Sequence, residues 1–264
     1  MTIKFDDKVV IVTGAGGGLG KSHAMEFARR GAKVVVNDLG GSVDGSGGAS
    51  DAANAVVEEI KAEGGEAIAN GASVADQSGV QNMIDEVMSK WGRIDVLVNN
   101  AGILRDGLLA KVKEGELVSK LSLQQWQAVI DVNLTGVFLC GREAAIKMIE
   151  TKRPGCIINI SSVARAGNIG QSNYSAAKAG VVALSTTWAK ELARYGIRSM
   201  SVAPGFMETE MTAGMKPEAQ DHMKKVIPLG KVGQPSHIEQ TVVHIFENDY
   251  LSGRTIEVDG GLRI

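Results

Sequence analysis

Short runs of apolar, largely β-branched residues alternate along the chain with longer segments whose apolar positions recur at helical spacing. The runs lie at residues 9–12, 34–36, 67–69, 96–98, 157–160, 199–202 and 255–258. Most of them lack polar alternation, so they predict strands covered on both faces, the pattern of a parallel sheet. Between them, helical patterns at about residues 19–30, 50–63, 76–91, 122–150 and 174–195 are long enough to serve as crossovers. The expected fold is therefore α/β, a doubly wound seven-stranded parallel sheet, with residues 1–264 forming a single domain. Ser122 and Gln125 have the spacing of a capping box at the start of the fourth helix.

Two segments break the regularity. Residues 39–50 carry Gly40, Gly41, Gly45, Gly47 and Gly48 and read as a loop after the second strand. Residues 204–228 hold Met207, Met211, Met215 and Met223 with Gly205 and Gly214. This second segment reads either as a partly helical, adaptable stretch beside a binding site or as a surface excursion whose Met side chains fill gaps.

Charge narrows the partners. Lys plus Arg number 28 against 30 Asp plus Glu, a formal net charge of −2, which excludes the strongly basic balance used to grip a phosphate backbone. No nucleic-acid partner is expected. Cys140 and Cys156 have no metal-ligand spacing and cannot staple a chain of 264 residues, so a reducing cytoplasm is the expected setting. The first residues show no signal-peptide pattern, and no apolar stretch approaches the ~20 residues that cross a bilayer. No membrane partner and no metal are expected.

Candidate chemistry falls at the predicted strand ends. Thr13-Gly14-Ala15-Gly16-Gly17-Gly18-Leu19-Gly20 joins the first strand to the first helix, where glycines let backbone N–H groups approach a pyrophosphate. A bare tight turn or the nucleotide loop of a methyltransferase would look similar. Asp38 ends the second strand, where a carboxylate can accept both hydroxyls of an adenosine ribose. Asn99-Asn100-Ala101-Gly102 ends the fourth and can hold backbone and ligand together, though alone it would read as a strand-end turn.

Tyr174 and Lys178, four apart on a helix, share one face. A neighbouring cation favours phenolate, so this spacing predicts a lowered tyrosine pKa and a side chain able to exchange a proton with a reacting oxygen. Ser161 and Ser162 close the preceding strand and can donate to a developing oxyanion.

As a set, residues 13–20, Asp38, residues 99–102, Asn133, Ser161-Ser162, residues 174–178 and Pro204-Gly205 resemble the classical short-chain dehydrogenase/reductases, over about residues 7–261. The resemblance implies a Rossmann fold and a hydride-transferring oxidoreductase. It implies that Tyr174 is the general acid or base, that Lys178 lowers its pKa and holds the nicotinamide ribose, and that Asn133 supports a proton-relay water. Members of the family commonly place the catalytic serine thirteen residues before the tyrosine, which lands on Ser161. The strand-end register points instead to Ser162, as a one-residue deletion in residues 163–170 would explain, and Ser162 is the serine expected. Cofactor contacts are implied at Gly14, Gly18, Leu19, Gly20, Asp38, Ser73, Val74, Asn100, Ala101, Gly102, Tyr174, Lys178, Pro204, Gly205, Met207 and Thr209.

Within the family, residues 36–41 and 100–106 look like the (3R)-hydroxyacyl-CoA dehydrogenase part of peroxisomal multifunctional enzymes. Asn133, residues 170–174 and residues 203–209 look like bacterial 3-oxoacyl-acyl-carrier-protein reductases. Both groups interconvert 3-oxoacyl and 3-hydroxyacyl thioesters, on CoA or on acyl-carrier protein. The alternatives are a dehydrogenase for another small or hydrophobic secondary alcohol and, from a different class, a nucleotide-binding sensor without catalysis or a methyltransferase. Asp38 and the absence of a basic residue in the glycine turn predict preference for NAD(H) over NADP(H), with Lys21 pointing away from the ribose.

Residues 110–121 hold several extra positions relative to short members and read as a solvated insertion or as part of the substrate rim. The helices at 122–150 and 174–195 carry Trp126, Val129, Ile130, Val137, Phe138 and Ala177, Val181, Leu184, Trp188, more apolar surface than one sheet face covers. A homo-oligomer, a tetramer by the resemblance, follows. His23, His222, His237 and His244, the two cysteines, and Trp126 and Trp188 read as structural or exposed.

Overall fold

The computed structural model describes residues 3–40, 51–209 and 217–263. Seven parallel strands lie in the order β3-β2-β1-β4-β7-β8-β9. They are β1 (Val9–Thr13), β2 (Lys33–Asn37), β3 (Glu66–Asn70), β4 (Val96–Asn99), β7 (Gly155–Ile160), β8 (Ile197–Pro204) and β9 (Thr255–Val258). Every residue of β1, β4, β7 and all but Arg198 of β8 is buried, as the uninterrupted apolar runs require.

Alternation along each strand sorts the core into two layers. Val10, Val12, Val34, Val36, Val98 and Ile158 face α1 (Gly18–Arg29), α2 (Asp51–Ala62) and α8 (Pro235–Glu247). Val9, Ile11, Val35, Leu97 and Ile157 face α3 (Gln77–Trp91), α5 (Gly136–Glu150) and α6 (Ser172–Leu192). Each such side chain contributes about 1.5–3 kcal/mol by leaving water, so the sheet is the most stable part of the molecule. The chain winds outward in opposite directions from β1 and β4, and the crevice at their carboxyl ends is where an open sheet of this kind receives ligands.

Four features depart from the sequence pattern. The helix expected over 122–150 is divided: α4 (Leu123–Ile130) opens with the Ser122–Gln125 capping box, Asp131–Thr135 form a π turn, and α5 follows. The wider turn carries Asn133 inward, where its side chain accepts from the Ile103 amide at 2.8 Å and donates to the Ile103 carbonyl at 3.0 Å. Residues 110–121 are no plain loop, because β5 (Ala110–Lys113) and β6 (Glu116–Lys120) pair as an antiparallel hairpin exposed at every position. Helix α8 was absent from the expected set, although Pro235 at its first turn and Ile238, Val242 and Ile245 at helical spacing announce it.

The fourth departure concerns the face expected to meet another subunit. Val129, Val137, Ala177, Val181 and Trp188 are buried within the chain itself, and a Cβ on Gly141 would lie 2.5 Å from the Trp188 ring, so α5 and α6 touch closely. Phe138 and Ile146 of α5 remain exposed. Helix α7 (Pro217–Val226) gives the Met-bearing segment its helical part. The 39–50 loop beyond Gly40, together with Met211, Gly214 and Met215, lies outside the described residues. No helix among the described residues is long and apolar enough to cross a membrane.

Candidate active site

Thr13, the last residue of β1, organises the floor of the crevice. Its hydroxyl oxygen accepts from the amides of Asn100 and Ala101, both at 3.1 Å. Asn100 returns the contact, its side-chain amide donating to the Thr13 and Gly14 carbonyls at 3.1 and 2.9 Å. The glycine turn is thereby fastened to the end of β4, as the Asn pair suggested. The approach leaves no room for side chains: a Cβ on Gly14 would sit 2.7 Å from the Ala101 Cα, and one on Gly20 would sit 2.1 Å from the Gly14 carbonyl oxygen. Gly14 and Gly18 also have φ near +60°, which other residues rarely adopt.

Helix α1 starts from Gly17 with no side-chain cap among the described residues and no acidic residue in its first turn, and a Cβ on Gly17 would meet nothing within 4 Å. Open amides at a helix N-terminus with clear space before them fit a pyrophosphate. Asp38 accepts from the Gly16 amide at 2.8 Å through one carboxylate oxygen and from the Gly40 amide at 2.7 Å through the other. Each oxygen keeps a second acceptor site for a ribose hydroxyl. Lys21 pairs with Glu59 of α2 at 2.6 Å and so points away from Asp38. A dinucleotide therefore fits the residues present.

The other expected contacts gather along the same edge. Ser73 and Val74 follow β3, Val74 being buried against Gly136. Gly102 lies over Asn133, and Leu19 packs on the core beneath the turn. Pro204 ends β8, and Gly205 donates to Val258 at 3.0 Å. Met207 is buried, and the Thr209 methyl stands 4.0 Å from the Cβ position of Gly18, above the glycine turn.

At the β7 end, the two serines separate. Ser161 continues the strand, its amide donating to Val202 and its hydroxyl to the Lys178 carbonyl at 2.8 Å. Ser162 leaves the strand, and its hydroxyl acts on the Tyr174 phenol in the direction that favours the phenolate. Lys178 is buried, donates to the Ile160 carbonyl at 2.7 Å and sits 5.6 Å from the Tyr174 ring centroid. Burial pushes its ammonium down to about 8. The tyrosine pKa moves opposite to the expectation from spacing. Burial raises it, the Ser162 hydrogen bond works against that rise, and the Asp106 carboxylate adds to it. In this chain by itself the lowering influence comes from Ser162 and not from Lys178.

Sequence reading missed Asn173. This buried residue accepts from the Tyr174 amide at 2.8 Å and donates to the carbonyls of Arg105 and Gln125 at 3.0 and 3.1 Å, fixing the start of α6. Its adjacency to Tyr174 was the only local signal. Cys140 and Cys156 are buried with thiols raised to about 12 and about 11, which makes them inert.

Comparison with known proteins agrees with this fold. The chain is 47% identical over 259 residues to a 3-oxoacyl-[acyl-carrier-protein] reductase of Synechocystis sp., covering 97% of this chain and 96% of that protein. Reductases of the same name from Staphylococcus aureus and Thermotoga maritima are 45% and 39% identical, covering 97% and 99% of this chain and 98% and 100% of theirs. The solved structure of a 7 alpha-hydroxysteroid dehydrogenase complexed with NADH and 7-oxo glycochenodeoxycholic acid superposes with a TM-score of 0.87 at 30% identity, over 98% of this chain and 96% of that one. With the short chain dehydrogenase pattern matching residues 8–220, the chain belongs to the short chain dehydrogenase family.

Proposed function

We propose that the protein is a nicotinamide-dependent oxidoreductase that interconverts 3-oxoacyl and 3-hydroxyacyl thioesters. The observation that carries the reading is buried Lys178, bonded to the Ile160 carbonyl at 2.7 Å and 5.6 Å from the Tyr174 ring, at the end of the strand that Ser162 follows and on the sheet edge where the glycine turn opens. The names of the most similar relatives support the thioester class. When bound, the nicotinamide supplies or accepts the hydride at the 3-carbon. Tyr174 bears its proton at neutral pH, since burial raises its pKa, and gives that proton to the ketone oxygen in reduction. In oxidation the phenolate takes it back. Ser162 orients the reacting oxygen by donating to it, and buried Lys178 places a cation beside the tyrosine ring. Asn133, held by Ile103, keeps the π turn in place behind them and is assigned the support of a proton-relay water. The residues assigned to the cofactor are those expected from the sequence, from Gly14 through Thr209.

NAD(H) is the preferred form. The additional phosphate of NADP(H) would meet the Asp38 carboxylate, and like charges so placed cost several kcal/mol. Lys21 is engaged by Glu59, and residues 41–50 contain no Lys or Arg. A homo-oligomer, a tetramer, and a cytoplasmic setting belong to the same proposal, the first supported by exposed Phe138 and Ile146 on α5.

The test is reduction of short and long 3-oxoacyl-CoA and 3-oxoacyl-acyl-carrier-protein substrates with each reduced cofactor, followed at the nicotinamide absorbance. Thioester reduction with NADH at least ~10-fold better in kcat/KM than with NADPH is expected, since several kcal/mol separate the two. Asp38→Ala narrows that ratio. Equal or better use of NADPH would show Asp38 misassigned, and reduction only of unrelated ketones would replace the thioester by another secondary alcohol.

A further inference from the structure

Ser162 is pinned at more than one atom. It caps the short 3-10 turn Val163–Ala166, its hydroxyl oxygen accepting from the Ala164 amide at 3.1 Å and its carbonyl from the Arg165 amide at 3.2 Å. The same carbonyl accepts a second bond, from Nη1 of the Arg165 guanidinium at 3.1 Å. The other end of that guanidinium, Nη2, is bonded to the Glu257 carboxylate. Glu257 stands on β9, level with Ala203 of β8, and β8 in turn pairs with β7. The Arg165 side chain therefore reaches from the turn after β7, past the end of β8, to β9.

Glu257 is itself held. Arg263 donates to its second oxygen at 2.8 Å and to Asp259 at 3.1 Å. The turn after β7, the strand β9 and the C-terminal residues are thus linked through the Arg165 guanidinium and the Glu257 carboxylate. A guanidinium suits this task because its fork presents several N–H groups in fixed directions, whereas an ammonium is a point charge.

We propose that Arg165 is a positioning residue for Ser162: anchored on Glu257, it fixes the Ser162 main chain so that the serine hydroxyl keeps its place against the Tyr174 phenol. The ion pair is partly exposed, with side-chain exposures of 21% for Arg165 and 36% for Glu257. Such pairs contribute little to global stability, so the effect of removing this one falls on geometry at the site. The inference rests on the acid–base role proposed for Tyr174. Failure of that role would be seen in Tyr174→Phe keeping wild-type turnover, and failure of the clamp is read from different variants.

The experiment compares Arg165→Met, Arg165→Lys, Glu257→Gln and the double variant Arg165→Met/Glu257→Gln with the wild type. Hydrogen–deuterium exchange of the segment 161–173 in the protein without cofactor is expected to speed up in Arg165→Met. In turnover, kcat falls about tenfold, a fraction of the 10²–10³ lost when an oxyanion donor is removed outright. The acid limb of the pH profile for alcohol oxidation moves to higher pH. The limb is read in kcat/KM, which reports the free enzyme, where the Ser162 hydroxyl has not yet turned to a substrate oxygen and favours the phenolate, so that displacing it raises the Tyr174 pKa.

Arg165→Lys keeps the charge toward Glu257 but not the fork, and its kcat stays low. Glu257→Gln gives a smaller change in the same direction. The double variant is no worse than Arg165→Met, because both substitutions break one linkage. Unchanged exchange in the 161–173 segment would overturn the proposal. So would faster exchange accompanied by wild-type kcat and an unmoved acid limb, which would reduce Arg165 to a structural tie.

Discussion

Tyr174 keeps its proton at neutral pH because burial disfavours the phenolate more than the Ser162 hydrogen bond favours it. Ketone reduction, which consumes that proton, is expected to stay level across neutral pH, whereas alcohol oxidation climbs as the medium becomes alkaline. Tyr174→Phe preserves the ring and its packing but has no proton to give. Its rate should fall at least ~10²-fold with folding and cofactor binding intact, as checked by steady-state turnover beside circular dichroism and fluorescence titration. Near-wild-type turnover would remove the tyrosine from the mechanism.

A second residue ties protonation to stability. His23 of α1 is fully buried, neither ring nitrogen has a hydrogen-bond partner among the described residues, and burial lowers its pKa from 6.5 to about 3. Between those values the unfolded chain binds a proton that the folded chain refuses, so stability falls as pH drops from 6.5 toward 3. At pH 5 the loss amounts to about 2 kcal/mol. Urea unfolding at pH 7 and pH 5 measures it, and His23→Leu should abolish this part. A variant that retains the whole loss would place the titration elsewhere.

Among the elements, the β5–β6 hairpin stands apart from the core. Val112 and Leu117 face one another across it yet are each 60% exposed, and Leu109 and Leu123 at its base are 74% and 78% exposed. Replacing residues 111–119 by a short Gly-Ser turn removes almost no buried surface. The melting temperature, by calorimetry, should change by no more than about 2 °C, the shift for a surface change of about 0.5 kcal/mol in a chain of this length. A larger drop would mean that the hairpin packs on the body. The neighbouring π turn is the opposite case, an irregularity held by two hydrogen bonds to Ile103 because Asn133 has to face inward. The same economy of space shows where Gly141 admits the Trp188 ring.

At the scale of the whole molecule, the oxidoreductase reading uses one edge of the sheet and leaves other faces for assembly. Phe138 and Ile146 expose 40% and 38% of their surface on α5, although their neighbours Val137 and Ala145 are buried. A homo-oligomer is expected, and light scattering at micromolar concentration checks it. A monomer there would refute the proposed assembly without touching the catalytic residues.

The chain order of its patterns determined the sheet. Runs such as residues 9–12 and 157–160 are too apolar for any half-exposed strand, and a strand-glycine-helix junction such as Thr13–Gly20 has few backbone solutions. The Ser122 capping box and the Tyr174–Lys178 spacing were equally legible, since both are local. Only the tertiary structure decided what depends on partners distant in sequence. Ser161 and Ser162 are adjacent, yet one hydroxyl is spent on the Lys178 carbonyl and the other acts on the Tyr174 phenol one turn earlier on the same helix, a division that exists only once α6 has packed against the end of β7. Spacing placed Lys178 beside Tyr174 but could not weigh the burial that raises one pKa and lowers the other. Asn133 on its π turn, Asn173 between two carbonyls, and Arg165 bonded to Glu257 all answer to residues brought near by the fold. Local pattern sets backbone conformation through short-range sterics and hydrophobic period, whereas desolvation and long-range hydrogen bonds exist only once the layers have packed.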